Sequence, residues 1–183
     1  MITRETAVVL LQQHVPNVNL QKHCYSVEAA MAECARVLRQ DDARWAMAGL
    51  LHDIDYEYTA KEPEKHGLVA MKLLQDAHAE CDEEVLHAIR SHGGNDERTS
   101  LMDHVLYAVD PLTGLIIAAA LLHPDRAIAS LTPEFIIRRM KEKGFAKGAN
   151  REAIRSCEQF LPLETFIGHV LAAMRGIKPV LGL

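Results

Sequence analysis

The fold is decided by the stretch Leu50-Leu51-His52-Asp53-Ile54-Asp55, where an apolar helical run ends in an imidazole beside a carboxylate. Adjacent helical residues point about 100° apart. His52 and Asp53 can therefore bind one ion only where the helix ends at a cavity, and the turn-forming residues after Asp53 fit such an end. A histidine with a carboxylate suits iron, manganese, magnesium or zinc rather than a soft thiolate site. Alone, the dipeptide is as consistent with a structural role.

Helical periodicity extends outward from this stretch in both directions, and the alternation typical of strands is rare. Thr3 can cap a first helix, and Asp41 or Asp42 can cap the helix that leads to His52. Gly49 in that helix would let another helix approach closely. The remaining helices are predicted at about residues 20–40, 64–77, 82–92, 99–122, 132–143, 149–160 and 163–174, with a polar loop over 54–63. The sequence thus predicts an all-α protein with about eight or nine helices.

The composition of the chain argues against several classes of partner. The chain has 183 residues and a formal charge of -5, so a generally basic surface for extended nucleic acid is absent. Its four cysteines form no Cys-x-x-Cys pair, which indicates a reducing compartment. The longest apolar run, Leu115–Leu122, is too short to span a bilayer. With no signal-peptide pattern at the first residues, we expect a cytoplasmic protein with no membrane partner; the oligomeric state is left open.

The ten histidines are the compositional anomaly, because histidine is scarce in most proteins and is the commonest metal ligand. His23 lies near the start of the helix predicted at 20–40. Asp110 lies within an apolar helical run, in Ala108-Val109-Asp110-Pro111. An acid in such a run must be hydrogen-bonded, paired or metal-bound, because an unpaired buried charge is very costly.

This ordered pattern, His…His-Asp…Asp on consecutive helices, resembles the HD superfamily of phosphohydrolases. It is met by His23, His52, Asp53 and Asp110, and the resemblance covers roughly residues 20–122. It implies a compact, single HD-type helical domain over residues 1–183. Within it the metal-binding core spans about 20–122, and a C-terminal helical extension spans about 124–183.

Two further histidines are similar to those of family members that bind a pair of metals. His66 resembles the histidine that opens the helix after the His-Asp pair, and His92 the one that closes the next helix. The resemblance implies one or two divalent ions (Mn, Fe, Mg or Zn), with Asp53 bridging them. It also implies that Asp53, His66 and His92 serve the chemistry.

The chain departs from many relatives directly after the motif. They read His-Asp-Ile-Gly-Lys, with the lysine near the substrate phosphate, whereas this chain reads His52-Asp53-Ile54-Asp55-Tyr56. Members that cleave deoxynucleoside monophosphates carry a glutamate where Tyr56 stands, and here Glu57 follows instead. Phosphate contacts must therefore come from elsewhere, or the substrate differs.

Each assignment has a structural alternative. Asp110 before Pro111 could cap a helix. His66 could be a surface residue of a first helical turn, and His92 could cap carbonyls at a helix end. Further candidates for the substrate pocket, for which a structural role is an equal or better explanation, are His87, Lys65, Arg90, Arg98, Tyr56 and Tyr58.

Three functions fit these residues. The first is hydrolysis of a phosphoester or phosphoanhydride by metal-activated water, with a nucleotide or another small phosphorylated metabolite as substrate. The second is a di-iron oxygenase of the same fold, favoured by the His66/His92 pair and the missing lysine. The third is a non-catalytic ligand-binding module that retains a metal.

Overall fold

The computed structural model describes residues 2–183, and that part of the chain is helical without a β-strand, which confirms the all-α prediction. Eight of its α-helices have eight or more residues, in agreement with the predicted number. The α-helices are α1 Arg4–His14, α2 Val18–Val37, α3 Asp42–Leu51, α4 Tyr56–Thr59, α5 Leu68–Asp76, α6 Glu83–His92, α7 Leu101–Leu122, α8 Pro133–Met140, α9 Arg151–Arg155, α10 Leu163–Gly176 and α11 Lys178–Leu181. Short 3₁₀ turns lie at Pro63–Lys65, Ile128–Ser130 and Ser156–Gln159.

Side-chain caps fix where several helices begin. The Thr3 hydroxyl accepts a hydrogen bond from the Thr6 backbone N–H at 3.3 Å, as predicted. Asp41, rather than Asp42, caps α3 by accepting from the Arg44 N–H at 3.0 Å. Ser100 caps the start of α7 in a capping box. Its hydroxyl accepts a hydrogen bond from the Asp103 backbone N–H, and the Asp103 carboxylate accepts one from the Ser100 backbone N–H. These local bonds satisfy the backbone donors that helix starts leave open.

The helix predicted over residues 64–77 is wrong at its start. Gly67 has a φ of +83°, a left-handed conformation that interrupts the helical path, so α5 begins only after it. The Asp55 carboxylate accepts hydrogen bonds from the backbone N–H groups of Gly67 at 2.8 Å and Ala70 at 2.9 Å. The start of a helix is usually capped by the residue directly before it, whereas α5 is capped by this more distant carboxylate. The predicted loop over 54–63 contains the single helical turn α4.

The core is built around α2 and α7, which pack against each other. Helices α3 and α10 also pack against α2, while α6, α8 and α9 pack against α7. Because His23 lies on α2 and Asp110 on α7, this packing brings the two residues together. Segments beyond residue 124 cover the same core, and the prediction of one domain over the whole chain stays a prediction.

Helix α7 is long and apolar enough to cross a membrane by length and composition alone, with a mean hydropathy of 2.0 in its most apolar window. In the structure, 56% of that window is buried inside the protein. A core helix of a globular domain meets the same criterion, so this finding is weak support for a membrane span. The expectations of a cytoplasmic location and of no membrane partner stay predictions.

Gly49 sets the close approach of α3 to α2. A Cβ atom at this position would lie 2.8 Å from the backbone C and O atoms of Val27 and 2.9 Å from the Cα atom of Glu28. These distances are far inside van der Waals contact, and backbone atoms cannot rotate away as a side chain can. The role inferred for Gly49 from the sequence therefore has a specific partner, α2.

Gly49→Ala should lower the free energy of unfolding by about 1–3 kcal/mol, because the added methyl group forces α2 and α3 apart. Gly114→Ala is the matched control, since Gly114 is also helical and an added Cβ there meets open space. The control should be neutral or stabilise by up to about 1 kcal/mol. Urea unfolding followed by circular dichroism measures both, and equal effects would contradict the packing role of Gly49.

Candidate metal centre

The structure brings all six predicted ligand residues to one place from separate segments of the chain. The adjacent pair follows directly after the end of α3, as required for both side chains to face one cavity. The six are His23 in α2, His52 and Asp53 after α3, His66 before α5, His92 at the end of α6, and Asp110 in the middle of α7. Ligand atoms of His23, His52 and Asp110, and those of His52, Asp53 and His92, form two groups, each within 4.8 Å.

One half of the centre is formed by His23, His52 and one oxygen from each carboxylate. The Nε2 atoms of the two histidines lie 3.2 Å apart. Asp110 Oδ1 lies 3.0 Å from His23 Nε2 and 3.8 Å from His52 Nε2. Asp53 Oδ2 lies 3.6 Å and 3.5 Å from the same two nitrogens. Each of these two oxygens therefore lies within 3.8 Å of both nitrogens.

The other half is formed by His66 and His92 with the remaining carboxylate oxygens. Asp53 Oδ1 lies 3.1 Å from His66 Nε2 and 3.8 Å from His92 Nε2. Asp110 Oδ2 lies 3.7 Å from His92 Nε2. The two oxygens of Asp53 thus face two different pairs of histidines.

Hydrogen bonds hold the first two imidazoles in the orientation that ligation needs. His52 Nδ1 lies 2.8 Å from the carbonyl oxygen of Gly49, so Nδ1 carries the proton and Nε2 is free. The Thr113 hydroxyl donates to the Asp110 carbonyl at 3.0 Å and accepts from His23 Nδ1 at 3.2 Å. Sequence reasoning missed Thr113, and its only signal is a hydroxyl one helical turn after Asp110.

His66 is oriented by Asp55, which sequence reasoning noted only as a departure from the family motif. His66 Nδ1 lies 2.8 Å from Asp55 Oδ1 and 3.3 Å from the hydroxyl of Thr59, which itself donates to the Asp55 carbonyl. Both contacts place the Nδ1 proton away from the centre and turn Nε2 toward Asp53. The carboxylate that caps α5 thus also fixes this histidine.

Gly93 brings the end of α6 against the segment that carries His66. A Cβ atom at Gly93 would lie 2.3 Å from the His66 carbonyl oxygen. The Asn95 side-chain amide donates to the same carbonyl at 2.6 Å. The lack of a side chain at Gly93 thus lets His92 and His66 reach the same carboxylate.

A cleft with a volume of about 340 Å³ opens beside this cluster. Its lining includes His23 and Asp110 on one side and the loop over residues 146–149, between α8 and α9, on the other. The centre is therefore reached from the side that the C-terminal segment covers.

A family model described as "HD domain" matches residues 20–120, which is more than half of the chain. The chain belongs to the HD domain family. Comparisons with curated proteins and with solved structures found no match. HD domains are generally metal-dependent phosphohydrolases that bind divalent ions, and the matched segment contains all six residues of the cluster.

Both carboxylates of the HD centre are held ionised. Burial by itself would raise the pKa of Asp53, but the facing histidines, among them the protonated His66 in contact with it, hold this pKa well below its usual range. Burial likewise opposes ionisation of Asp110, and the contact with His23 outweighs it, so this pKa is lowered as well. One buried and one partly buried negative charge, surrounded by imidazoles, are a strong attraction for cations.

The histidines differ in their protonation. Burial lowers the pKa of His52 to about 4, which leaves this imidazole neutral with a free Nε2 lone pair. Burial also opposes protonation of His66, but the contacts with Asp53 and Asp55 prevail and raise its pKa to about 10. The pKa of His23 is raised, because Asp110 and Asp53 outweigh its burial.

The donor set fits a divalent ion, since imidazole nitrogens and carboxylate oxygens suit manganese, iron or zinc. His23, His52 and His66 each have Nδ1 engaged and Nε2 turned inward, which is the usual arrangement of metal-binding histidine. The neighbouring thiol of Cys24 does not join them, because burial raises its pKa well above the usual value and keeps it protonated. The centre therefore supports a metal site, with the ion's identity open.

The structural alternatives for three ligands do not fit the structure. Helix α7 continues from Leu101 through Pro111 to Leu122, so the proposal that Asp110 caps a helix is wrong. His92 Nδ1 is buried and has no hydrogen-bond partner in residues 2–183, so it caps no carbonyl there. His66 is only 16% exposed in its side chain and faces carboxylates rather than solvent.

Most of the further pocket candidates have structural partners instead. His87 Nδ1 lies 3.1 Å from the buried carboxylate of Asp103. Arg90 binds Asp96 at 2.6 Å and Glu83 at 3.0 Å. The others are Lys65 paired with Glu62, Arg98 over the Tyr107 ring at 3.9 Å, Tyr58 bonded to His14 at 3.0 Å, and Tyr56 with its ring 6.2 Å from that of His66.

Thr113→Val should weaken metal binding about 10- to 100-fold, because His23 Nδ1 loses the acceptor that orients its ring. The substitution keeps the shape of a buried side chain, so the helical circular dichroism should persist. Thr99→Val is the control, since Thr99 is exposed and its hydrogen bond goes to Asp103 rather than to any of the six residues. Competition against a chromophoric chelator measures both affinities, and equal values would argue against this role of Thr113.

Metal binding should release a proton from His66. Its pKa is raised from 6.5 to about 10 in the metal-free protein, so the imidazole is protonated at pH 7.5 and must lose that proton to bind an ion. The wild type should therefore release about one proton more than His66→Ala, and its apparent affinity should fall as the pH falls. Calorimetry in buffers of different ionisation enthalpy counts the protons; identical counts would contradict the assignment.

Proposed function

We propose that the protein is a metal-dependent phosphohydrolase that acts on a small phosphorylated metabolite, with nucleotides among the candidates. The observation that carries this proposal is the position of Asp53, whose two oxygens face the His23/His52 pair and the His66/His92 pair. Paired divalent cations that share a carboxylate are a recurrent arrangement for hydrolysis at phosphorus.

Divalent ions at this centre would lower the pKa of a water molecule and neutralise charge on the phosphoryl group. The protein's part is to keep the ligands in place. Asp53 and Asp110 stay ionised despite burial, and His52 stays neutral. Turnover should depend on Asp53, which faces both pairs of histidines, and on His66 and His92, which form the pair beyond the His23/His52 half of the centre.

The size and charge of the surroundings favour a small substrate. The cleft of about 340 Å³ is at the low end of the range for small-molecule sites, roughly 300–1,000 Å³. The net charge of -5 gives no general attraction for a nucleic-acid backbone. Both observations favour a phosphomonoester or a nucleoside phosphate over an extended polymer.

A second candidate is a di-iron oxygenase. It is favoured by the nitrogen-rich donor set, four histidines to two carboxylates, and by Tyr56 in place of the motif glutamate or lysine. A third candidate, a ligand-binding module without activity, would share the same metal centre. Activity rather than ligand identity therefore has to decide among the three.

Hydrolysis should vanish with a chelator and return with added manganese, magnesium or another divalent ion. His92→Ala should lower turnover at least about 100-fold, since changes even in the residues around metal ligands cost up to that much. His78→Ala is the control, because His78 is exposed on the turn after α5. Phosphate release across nucleotides and small phosphomonoesters measures the effect.

Two outcomes would reject the phosphohydrolase. If metal-loaded protein releases no phosphate across the panel, the ligand-binding module without activity becomes the favoured function. Protein reduced with iron that consumes oxygen with a candidate substrate would establish the oxygenase.

A further inference from the structure

The loop between α8 and α9 forms the outer wall of the cleft at the metal centre. Ala146, Lys147, Gly148 and Ala149 line the cleft opposite His23 and Asp110. Lys147 is the one lysine or arginine in this lining, and its side chain is exposed. A basic side chain and two metal-ligand residues therefore share one small opening.

The loop is held in shape by Arg151, the first residue of α9. The Arg151 guanidinium donates to the carbonyl oxygens of Ala146 and Ala149, both at 2.5 Å, and to that of Phe145. The Phe145 side chain is buried and anchors the near end of the loop. Three carbonyl oxygens are thus turned onto a fixed cation, which neutralises their negative ends.

In the part of the chain that the structure describes, the groups of this loop that have no partner are a cationic side chain and two backbone N–H donors. Lys147 forms no ion pair with any carboxylate in residues 2–183. Its backbone N–H and that of Gly148 also make no hydrogen bond within this part of the chain. Across the cleft from Lys147 lie His23 and Asp110 of the candidate metal centre. Lys147 is therefore the basic side chain placed to contact an anionic substrate at the opening beside the centre.

We propose that Lys147 binds the substrate phosphate at the mouth of the metal centre, an inference that rests on the proposed phosphohydrolase function. The ligand class is a phosphomonoester or a nucleoside phosphate, recognised by its dianionic phosphoryl oxygens. A lysine ammonium suits this task, because it is a compact charge with three donors on a flexible stem. The Arg151-anchored loop sets where that charge lies.

The test is a calorimetric titration of full-length, manganese-loaded protein with inorganic phosphate. Lys147→Met should weaken phosphate binding about 10- to 100-fold, the loss expected for one charge-assisted hydrogen bond. Lys147→Arg should retain binding within about threefold, since it keeps the charge. Lys143→Met is the matched control, because Lys143 is an exposed lysine of the same connection outside the cleft lining. It should bind phosphate as the wild type does, and manganese content should be equal in all four proteins.

Phosphate binding by Lys147→Met within twofold of the wild type would overturn the proposal, as would wild-type protein that binds no phosphate. The titration requires no turnover, so it separates the two proposals. Lys147-dependent phosphate binding without hydrolysis of any substrate would reject the phosphohydrolase and keep the phosphate site. Hydrolysis with a KM that Lys147→Met leaves unchanged would keep the phosphohydrolase and reject the phosphate site.

Discussion

The structure depends on one buried carboxylate. Asp53 is 7% exposed and ionised, and removing a charge from water is costly unless partners replace the solvent. The partners are imidazoles from α2, α6 and the segment before α5, together with its own neighbour at the end of α3. Each of these elements has to end or pass at this point, which explains why α3 stops where it does. The positions of these elements are therefore tied to the charge of Asp53.

Gly49 links the packing of the helices to the chemistry of the centre. Its missing side chain lets α3 lie against α2, and its carbonyl oxygen holds the Nδ1 proton of His52. Asp55 has a similar double role, since it caps α5 and orients His66. Stability and ligand geometry therefore rest on the same atoms at two places. A change at either residue acts on both properties at once.

The roles that depend on neighbouring residues in the sequence could be predicted. Helical periodicity predicted the all-α class. Capping acts within three residues, so the sequence predicted the Thr3 cap and narrowed the second cap to Asp41 or Asp42, of which the structure shows Asp41. The six ligand residues were found through the ordered family pattern, which places them on successive helices. Their assignment as ligands stays a prediction, although the geometry brings them together.

Contacts between residues distant in sequence could not be predicted. Thr113 reaches His23 across 90 positions, and nothing local marks it. The start of α5 was misplaced because its capping carboxylate, Asp55, lies 12 residues before the glycine that it binds. Asp110 before Pro111 suggested a cap, yet α7 accommodates the proline in its interior. In each case tertiary packing prevailed over a short-range preference.

The division of the site between helices and a loop has an evolutionary consequence. The six clustered residues of the HD centre lie on or beside helices whose packing allows little change, whereas the outer wall of the cleft is a connection held by Arg151. Loops accept insertions and charge changes far more readily than packed helices. Descendants of this chain could change residues 141–150 while the helices that carry the HD centre are inherited intact. Diversity among relatives should therefore concentrate in that connection.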